Sequence, residues 1–219
     1  MATPYTHHHL FEINDDLKLV KNKLGPYEYI SIDDFYKRPE DIHQMLEDSW
    51  VPNWKINSQG RNYKDYFDCR SAIQLDLNNG FEKEYKTINF LKKALNIQEY
   101  SCNEISLNIF TWINTPEKNI QFLPHQDNSL NIIIYLDKIN SGGTALYSQK
   151  PKDNLSEELD IQYNIDDIKK DIQVIPSKFN KCIIFNGNIP HGGFIEDHSK
   201  YSNGNWRYNA VYFFYKWQN

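Results

Sequence analysis

Three residues of this chain, His125, Asp127 and His191, have the types and the spacing to hold a metal ion. His125 and Asp127 flank Gln126 just before a strongly apolar run, and residues i and i+2 of an extended segment point to the same side. His191 lies far downstream, in FNGNIPHGGF, directly after another strand-like run. Two imidazoles and one carboxylate on one face of an octahedral ion leave three positions open, which is the arrangement of non-haem Fe(II) sites.

A candidate anion-binding residue, Arg207, opens the last strand-like run after His191. The guanidinium of an arginine forms a planar fork that binds a carboxylate through two hydrogen bonds. Arg207 could therefore hold the far carboxylate of an acidic cosubstrate that chelates the metal. The segment EDHSKYSNGN lies between the two residues and brings Lys200 as an alternative cation and His198 as an expected loop histidine.

Short β-rich runs must position these residues. NEISLNIFTW alternates apolar and polar residues, and LNIIIYLD, TALYSQ, DIQVIPS, KCIIFNG and RYNAVYFFYKW follow it, separated by Gly, Pro, Asn or Ser. One helix is expected to interrupt them, within NLSEELDIQYNIDDIKKD. The pattern predicts an antiparallel barrel or jelly roll over residues 101–219, in a chain that is α+β but mainly β.

Two helices are predicted before these strands, and residues 1–100 are expected to be mostly helical. The first helix begins at Pro39, which suits a first helical turn, and His43 is expected on its exposed side. The second helix covers FEKEYKTINFLKKALNI, with glutamates leading and lysines trailing as the helix dipole favours. Two apolar faces follow from helical spacing: Ile42, Met45, Leu46 and Ser49 on the first helix, and Phe81, Tyr85, Ile88, Leu91 and Leu95 on the second. These helices are expected to pack on the barrel within a single domain, residues 1–219.

The motifs together resemble the Fe(II)/2-oxoglutarate-dependent dioxygenases, whose double-stranded β-helix carries HxD, a distal histidine and a downstream arginine. INSGGTALY resembles the Gly-Gly-Thr hairpin that follows the HxD strand in that family. FNKCIIFNGNIPHGG resembles the strand that leads to the distal histidine, and RYNAVYFFY resembles the final strand with the arginine. SIDDFYKRPEDIHQML and GRNYKD resemble the opening strand and helix of a subgroup of small members. The resemblance covers residues 28–215, with its specific motifs in 123–215.

The resemblance implies that His125, Asp127 and His191 bind Fe(II) and that Arg207 binds the distal carboxylate of 2-oxoglutarate. Polar neighbours that could assist the arginine are Asn108, Tyr135 and Thr144. The implied reaction uses O₂ and 2-oxoglutarate, releases succinate and CO₂, and hydroxylates a C–H bond of the substrate. Because halogenating relatives carry Gly or Ala in place of the carboxylate, Asp127 favours hydroxylation or a related oxidation.

Three other interpretations of the same residues remain open. A cupin-type barrel could use its metal for other chemistry, although cupins usually carry HxH where this chain has HxD. A non-catalytic binding module could retain the three residues without activity. A zinc hydrolase could use His, Asp and His as ligands, but it would need neither the arginine nor the Gly-Gly-Thr hairpin.

Composition limits the partners. The chain has 219 residues and a formal net charge of −5 without a basic run, which disfavours nucleic acid and an anionic membrane. A free amino acid, a peptidyl side chain or another small metabolite is the expected substrate. Candidate pocket aromatics, for which core packing is the alternative, are Tyr63, Tyr66, Phe67, Trp112 and Tyr147. Three dispersed cysteines and the lack of a long apolar segment favour a cytoplasmic protein with reduced thiols. His7, His8 and His9 are given no role.

Overall fold

The computed structural model describes residues 10–48, 55–56, 67–73, 82–112, 120–122, 124–148, 162–164 and 172–216. Two helices are present in these ranges: α1 (Pro39–Glu47) and α2 (Glu82–Leu95). The strands are β1 (Val20–Leu24), β2 (Tyr27–Ile32), β3 (Lys55–Ile56), β4 (Phe67–Ile73), β5 (Tyr100–Trp112), β6 (Ile120–Phe122), β7 (Leu130–Tyr135), β8 (Gly142–Tyr147), β9 (Gln162–Asn164), β10 (Ile172–Pro176), β11 (Cys182–Asn186), β12 (His191–Ile195) and β13 (Arg207–Lys216). A 3-10 helix, His198–Tyr201, precedes β13.

The strands form two principal antiparallel sheets. The larger has eight strands in the order β1-β2-β11-β7-β13-β5-β4-β3, and the smaller has three in the order β10-β8-β12. The inner faces of the two sheets share one buried cluster, made of Tyr135, Leu146, Ile175, Ile183 and Phe185. The sheets therefore pack face to face as a jelly roll, which confirms the predicted mainly β architecture.

The helices cover the outer face of the larger sheet. Ile42 and Leu46 of α1 and Leu91 of α2 are buried in one cluster with the outward-facing residues of β5, β7 and β13. This packing follows from period two in the strands, since Ile132 and Ile134 point outward to the helices while their neighbours point into the cavity between the sheets. The two helices predicted before the strands are confirmed, as are the amphipathic faces that their described residues carry; Ser49 and the side chains of Phe81 and Tyr85 lie outside the described residues.

Several sequence expectations need correction. His43 is buried rather than exposed, because its Nδ1 bonds to the carbonyl of Leu136 at 2.8 Å and its ring packs on Phe179 and Tyr208. His198 is itself buried and begins a 3-10 turn rather than lying in an exposed loop. Within the expected helix at 154–171, the described residues form strand β9, and the rest lies outside the described ranges. Residues 1–100, expected to be mostly helical, contribute strands β1–β4 as well as the two helices.

Candidate metal centre

The backbone ties the HxD segment to the other half of the fold. His125 and His191 form an isolated antiparallel bridge, with N–H···O bonds of 2.9 Å in both directions. The amide of Asp127 donates to the carbonyl of Gly187 at 2.8 Å, and the amide of Gly187 donates to the carbonyl of Ser129 at 2.9 Å. The segment before β7 is thereby fixed against the β11–β12 turn, although the two lie far apart in the sequence.

These bonds bring the three candidate ligands together. Asp127 Oδ2 lies 3.7 Å from His125 Nε2 and 3.3 Å from His191 Nε2, and one potential ligand atom of each residue lies within 4.8 Å of the others. Ligand atoms about 2.1 Å from one ion and at right angles to each other would be about 3 Å apart. The spacing of the three side chains therefore fits a single ion on one face of an octahedron.

His191 is oriented as a metal ligand requires. It is 3% exposed, and its ring stands edge-on to Phe185 with 4.9 Å between the centroids. Its Nδ1 lies 2.7 Å from the carbonyl of Ile189, which can only accept a hydrogen bond, so Nδ1 carries the proton of the neutral ring. The lone pair of Nε2 consequently faces Asp127. The hydrogen bond from Nδ1 to the carbonyl of Ile189 fixes both the tautomer and the ring orientation.

The carboxyl group of Asp127 is half-buried and ionised at neutral pH. Burial raises the pKa of Asp127, whereas hydrogen bonds from His191, when its ring is doubly protonated, and from Asn131 lower it, and the charges of protonated His125 and His191 lower it further. The net effect is a pKa below the ordinary value. An ionised oxygen beside two imidazoles is the donor set that borderline and hard divalent cations take.

Gln126 and Asn131 complete the surroundings of the HxD pair. Gln126 is exposed and donates to the carbonyl of Asn188 at 2.6 Å, as alternation of side chains along an extended segment requires when its two neighbours face the cluster. Asn131 is buried, and its Nδ2 lies 2.7 Å from Asp127 Oδ2 and 3.0 Å from His191 Nε2. Sequence reasoning missed Asn131, although a single amide within the apolar run LNIIIYLD, four residues after Asp127, was the available signal.

A second polar group, around Arg207, lies between the two sheets. Tyr135 lies on the same face of β7 as Asn131, and in the sheet register Asn209, two residues after Arg207, pairs with Tyr135. Arg207 is buried, and its Nη2 donates to the carbonyl of Gly143 across the cavity at 2.8 Å. Among the described residues nothing bonds to the Nε of Arg207. A buried guanidinium with an unused donor can receive an anionic ligand.

Two of the polar neighbours predicted for Arg207, Tyr135 and Thr144, supply hydroxyl groups. Their oxygens lie 2.7 Å apart. Burial raises the pKa of Tyr135, and this outweighs the opposing effects of the Thr144 hydrogen bond and the Arg207 charge. The phenol therefore keeps its proton at neutral pH and can donate a hydrogen bond. Lys200, the alternative cation, is exposed on the 3-10 turn.

Asn108, the third predicted polar neighbour, lies one strand away on β5. Its Nδ2 donates to Asn209 Oδ1 at 3.0 Å, and its Oδ1 accepts from the hydroxyl of Ser106. Because Asn209 is two residues from Arg207 on β13, the Asn108–Asn209 pair extends the polar lining of the cavity. Asn209 is a further residue that sequence reasoning missed.

The Gly-Gly pair of the hairpin is explained by close approach of the backbones. A Cβ on Gly142 would lie 2.1 Å from the carbonyl oxygen of Phe194, and one on Gly143 would lie 2.0 Å from that of Ile175. Both glycines also have positive φ, +151° and +157°. Only glycine allows β8 to fit between β10 and β12 with the Gly143 carbonyl turned to Arg207.

The candidate pocket aromatics do not add to this lining. Tyr147 packs in a buried cluster with Ala145, against Ile172 and Val174, so core packing is confirmed for it. Tyr63, Tyr66 and the side chains of Phe67 and Trp112 lie outside the described residues.

No family model and no curated protein matches this chain. Solved structures do match. A structure of HygX from Streptomyces hygroscopicus with nickel, 2-oxoglutarate and hygromycin B bound has a TM-score of 0.53 at 11% identity, covering 87% of this chain and 85% of HygX. A 2OG-Fe(II) oxygenase family oxidoreductase from Burkholderia pseudomallei has a TM-score of 0.51 at 11% identity and covers 86% of each chain. The chain has the fold of the 2-oxoglutarate/Fe(II) oxygenases.

The oxygenase fold is shared by proteins with different reactions. The non-haem α-ketoglutarate-dependent epimerase SnoN, from nogalamycin biosynthesis, has a TM-score of 0.51 at 9% identity, covering 86% of this chain and 78% of SnoN. At these identities the likeness establishes the fold, and function must be inferred from the residues of the site. Among the described residues of this oxygenase fold, no helix has the length and apolarity to cross a membrane.

Proposed function

We propose that this chain is an Fe(II)- and 2-oxoglutarate-dependent oxygenase that hydroxylates a C–H bond of a small metabolite, an amino acid or a peptidyl side chain. The observation that carries the proposal is the His125–Asp127–His191 cluster together with the buried Arg207, whose Nη2 bonds to Gly143 of the facing sheet. The unused Nε of Arg207 and the protonated phenol of Tyr135 fit the distal carboxylate of 2-oxoglutarate. HygX, which has this fold, has been crystallised with nickel and 2-oxoglutarate, and this supports the same ligand class here.

Each residue has a defined role in this proposal. His125, Asp127 and His191 would hold the iron, and Arg207 would bind the cosubstrate with Tyr135 and Thr144 beside it. Asn108 would act through Asn209 at the edge of the pocket. When bound, Fe(II) would supply the redox chemistry that couples the decarboxylation of 2-oxoglutarate by O₂, to succinate and CO₂, to C–H oxidation.

The protein's own groups would orient the reactants and supply the counter-charge. Arg207 would fix one end of 2-oxoglutarate, so that the 2-oxo acid end faces the ligand cluster. The buried inner faces of β7, β8, β10 and β11 would keep bulk water from the cosubstrate. Asp127 supplies the carboxylate whose presence favours hydroxylation over halogenation.

The wider assignments follow from the same features. Strands from residues 1–100 and from the jelly-roll region belong to one eight-stranded sheet, which supports a single domain. Cys102 and Cys182 are free thiols, which supports a cytoplasmic location. The structure of HygX with hygromycin B bound supports a small-molecule substrate.

Turnover of 2-oxoglutarate tests the proposal. With Fe(II), 2-oxoglutarate and O₂, the purified chain should form succinate, slowly alone and faster with an acceptable substrate. Asp127→Ala should lose this turnover and Arg207→Ala should need far more 2-oxoglutarate for it, whereas Lys200→Ala should match the wild type. Metal binding without any succinate formation would favour a cupin-type site or a binding module instead.

A further inference from the structure

A buried amide contacts two of the candidate ligands. Asn131, on β7, is 1% exposed, and its Nδ2 lies within hydrogen-bond distance of both Asp127 Oδ2 and His191 Nε2. Because Nδ2 carries two hydrogens and both neighbours are acceptors, the amide can donate to each of them at once. Without such a donor the carboxylate oxygen and the ring nitrogen, 3.3 Å apart, would face each other with lone pairs.

The orientation of this amide is fixed from behind. The hydroxyl of Ser129 donates to Asn131 Oδ1 at 2.6 Å, so the oxygen faces Ser129 and the NH₂ group faces the ligands. A reversed amide would place its oxygen against the ionised Asp127, which can only accept a hydrogen bond, so the carboxylate selects this orientation and the Ser129 hydroxyl donates to the oxygen. Ser129, Asn131 and Asp127 thus form a hydrogen-bond chain with one direction, from the hydroxyl to the carboxylate.

We infer that Asn131 is a positioning residue that holds Asp127 and His191 in the ligand arrangement before the metal binds, and that it sets the affinity of the metal centre. This inference rests on the proposed function, since it concerns the same site. A metal ion bound here would use the lone pair of His191 Nε2 in place of its bond from Asn131, and Asn131 could keep its bond to Asp127.

Two opposing effects determine the sign of a substitution. Loss of the neutral bond to His191 removes a competitor of the metal and favours binding. Loss of the bond to Asp127 opposes binding. The carboxylate is 24% exposed, so without Asn131 it can turn to water in the metal-free protein, and this stabilises the metal-free state. The same carboxylate cannot turn to water while it binds the metal. Charge-assisted hydrogen bonds are about twice as strong as neutral ones, so the second effect is larger. Groups that hydrogen-bond to metal ligands typically change metal affinity about 10- to 100-fold.

Titration with Co(II), followed by its visible absorption, tests the inference on the chelator-treated full chain. Asn131→Leu should weaken Co(II) binding about tenfold or more and change the Co(II) spectrum. Asn128→Leu, at an exposed neighbouring asparagine, should match the wild type in both. Ser129→Ala keeps every backbone contact and should weaken binding less than Asn131→Leu does. If Asn131→Leu does not fold, Ser129→Ala decides the matter.

The outcomes separate the inference from the proposed function. A wild-type chain that binds no Co(II) would overturn the metal centre and this role of Asn131 with it. Wild-type binding, with affinity within about twofold and an unchanged spectrum in the folded Asn131→Leu and Ser129→Ala variants, would overturn the positioning role alone. A purely structural role would lower the midpoint of thermal unfolding without changing the Co(II) spectrum.

Discussion

His191 Nε2 lies 3.3 Å from Asp127 Oδ2, although Asp127 precedes β7 and His191 begins β12 in the other sheet. The contact depends on backbone bonds from Gly187 and His191 to the HxD segment. The candidate metal centre is therefore built by the pairing of two distant chain segments, and a change in that pairing should weaken metal binding.

Gly187→Ala tests this dependence. A Cβ on Gly187 would lie 2.6 Å from the carbonyl oxygen of Ser129 and 2.8 Å from that of Asp127. Backbone atoms cannot move away cheaply, so the substitution should destabilise the fold by about 1–3 kcal/mol and weaken Co(II) binding. Gly204→Ala is the matched control, because it strains a positive φ with no atom within 4 Å. It should lower thermal stability and leave Co(II) affinity unchanged.

Arg207→Ala should raise the KM for 2-oxoglutarate strongly. Removing one partner of a buried charge pair costs about 2–5 kcal/mol, so the expected change is on the order of 30-fold or more. Lys200→Ala, at an exposed cation, should leave this KM unchanged. If initial-rate measurements gave the larger KM to Lys200→Ala instead, the cosubstrate carboxylate would be assigned to Lys200.

Tyr135→Phe should weaken 2-oxoglutarate binding less than Arg207→Ala does. The substitution removes the phenol that lies 2.7 Å from Thr144 Oγ1 and costs about 1 kcal/mol of stability, as for an ordinary buried hydrogen bond. Isothermal titration of the metal-loaded protein without O₂ would measure the affinity. An affinity equal to that of the wild type would show that the phenol does not contact the cosubstrate.

Acid should destabilise the metal-free protein partly through Asp127. Its folded-state pKa lies below the ordinary value, so its contribution is present above the unfolded pKa of about 3.9 and is lost as the pH falls through the folded pKa. Urea unfolding at about pH 6 and pH 3 should show a smaller loss of stability for Asp127→Asn than for the wild type. Asp16→Asn, at an exposed carboxyl, sets the background. Equal losses in all three proteins would contradict the assigned pKa shift.

The sequence predicted the parts of this site that depend on local pattern. Short β-rich runs located the strand that follows His125 and Asp127 and the strand that begins at Arg207, and i, i+2 spacing placed the HxD pair on one side. The burial of His43 could not be predicted in the same way, since it depends on contacts with Phe179 and Tyr208 from distant segments. The role of Asn131 could not be predicted for a similar reason. Its function depends on His191 and on the hydroxyl of Ser129, and a strand pattern shows only that it faces inward.

The most direct test of the account is the anaerobic addition of Fe(II) and then 2-oxoglutarate to the purified chain, followed by visible absorption. The account predicts a charge-transfer band that requires both additions and disappears when Asp127→Ala and His191→Ala are combined. Absence of the band from the folded wild-type protein would contradict the cosubstrate assignment. Its persistence in the double variant would contradict the ligand assignment.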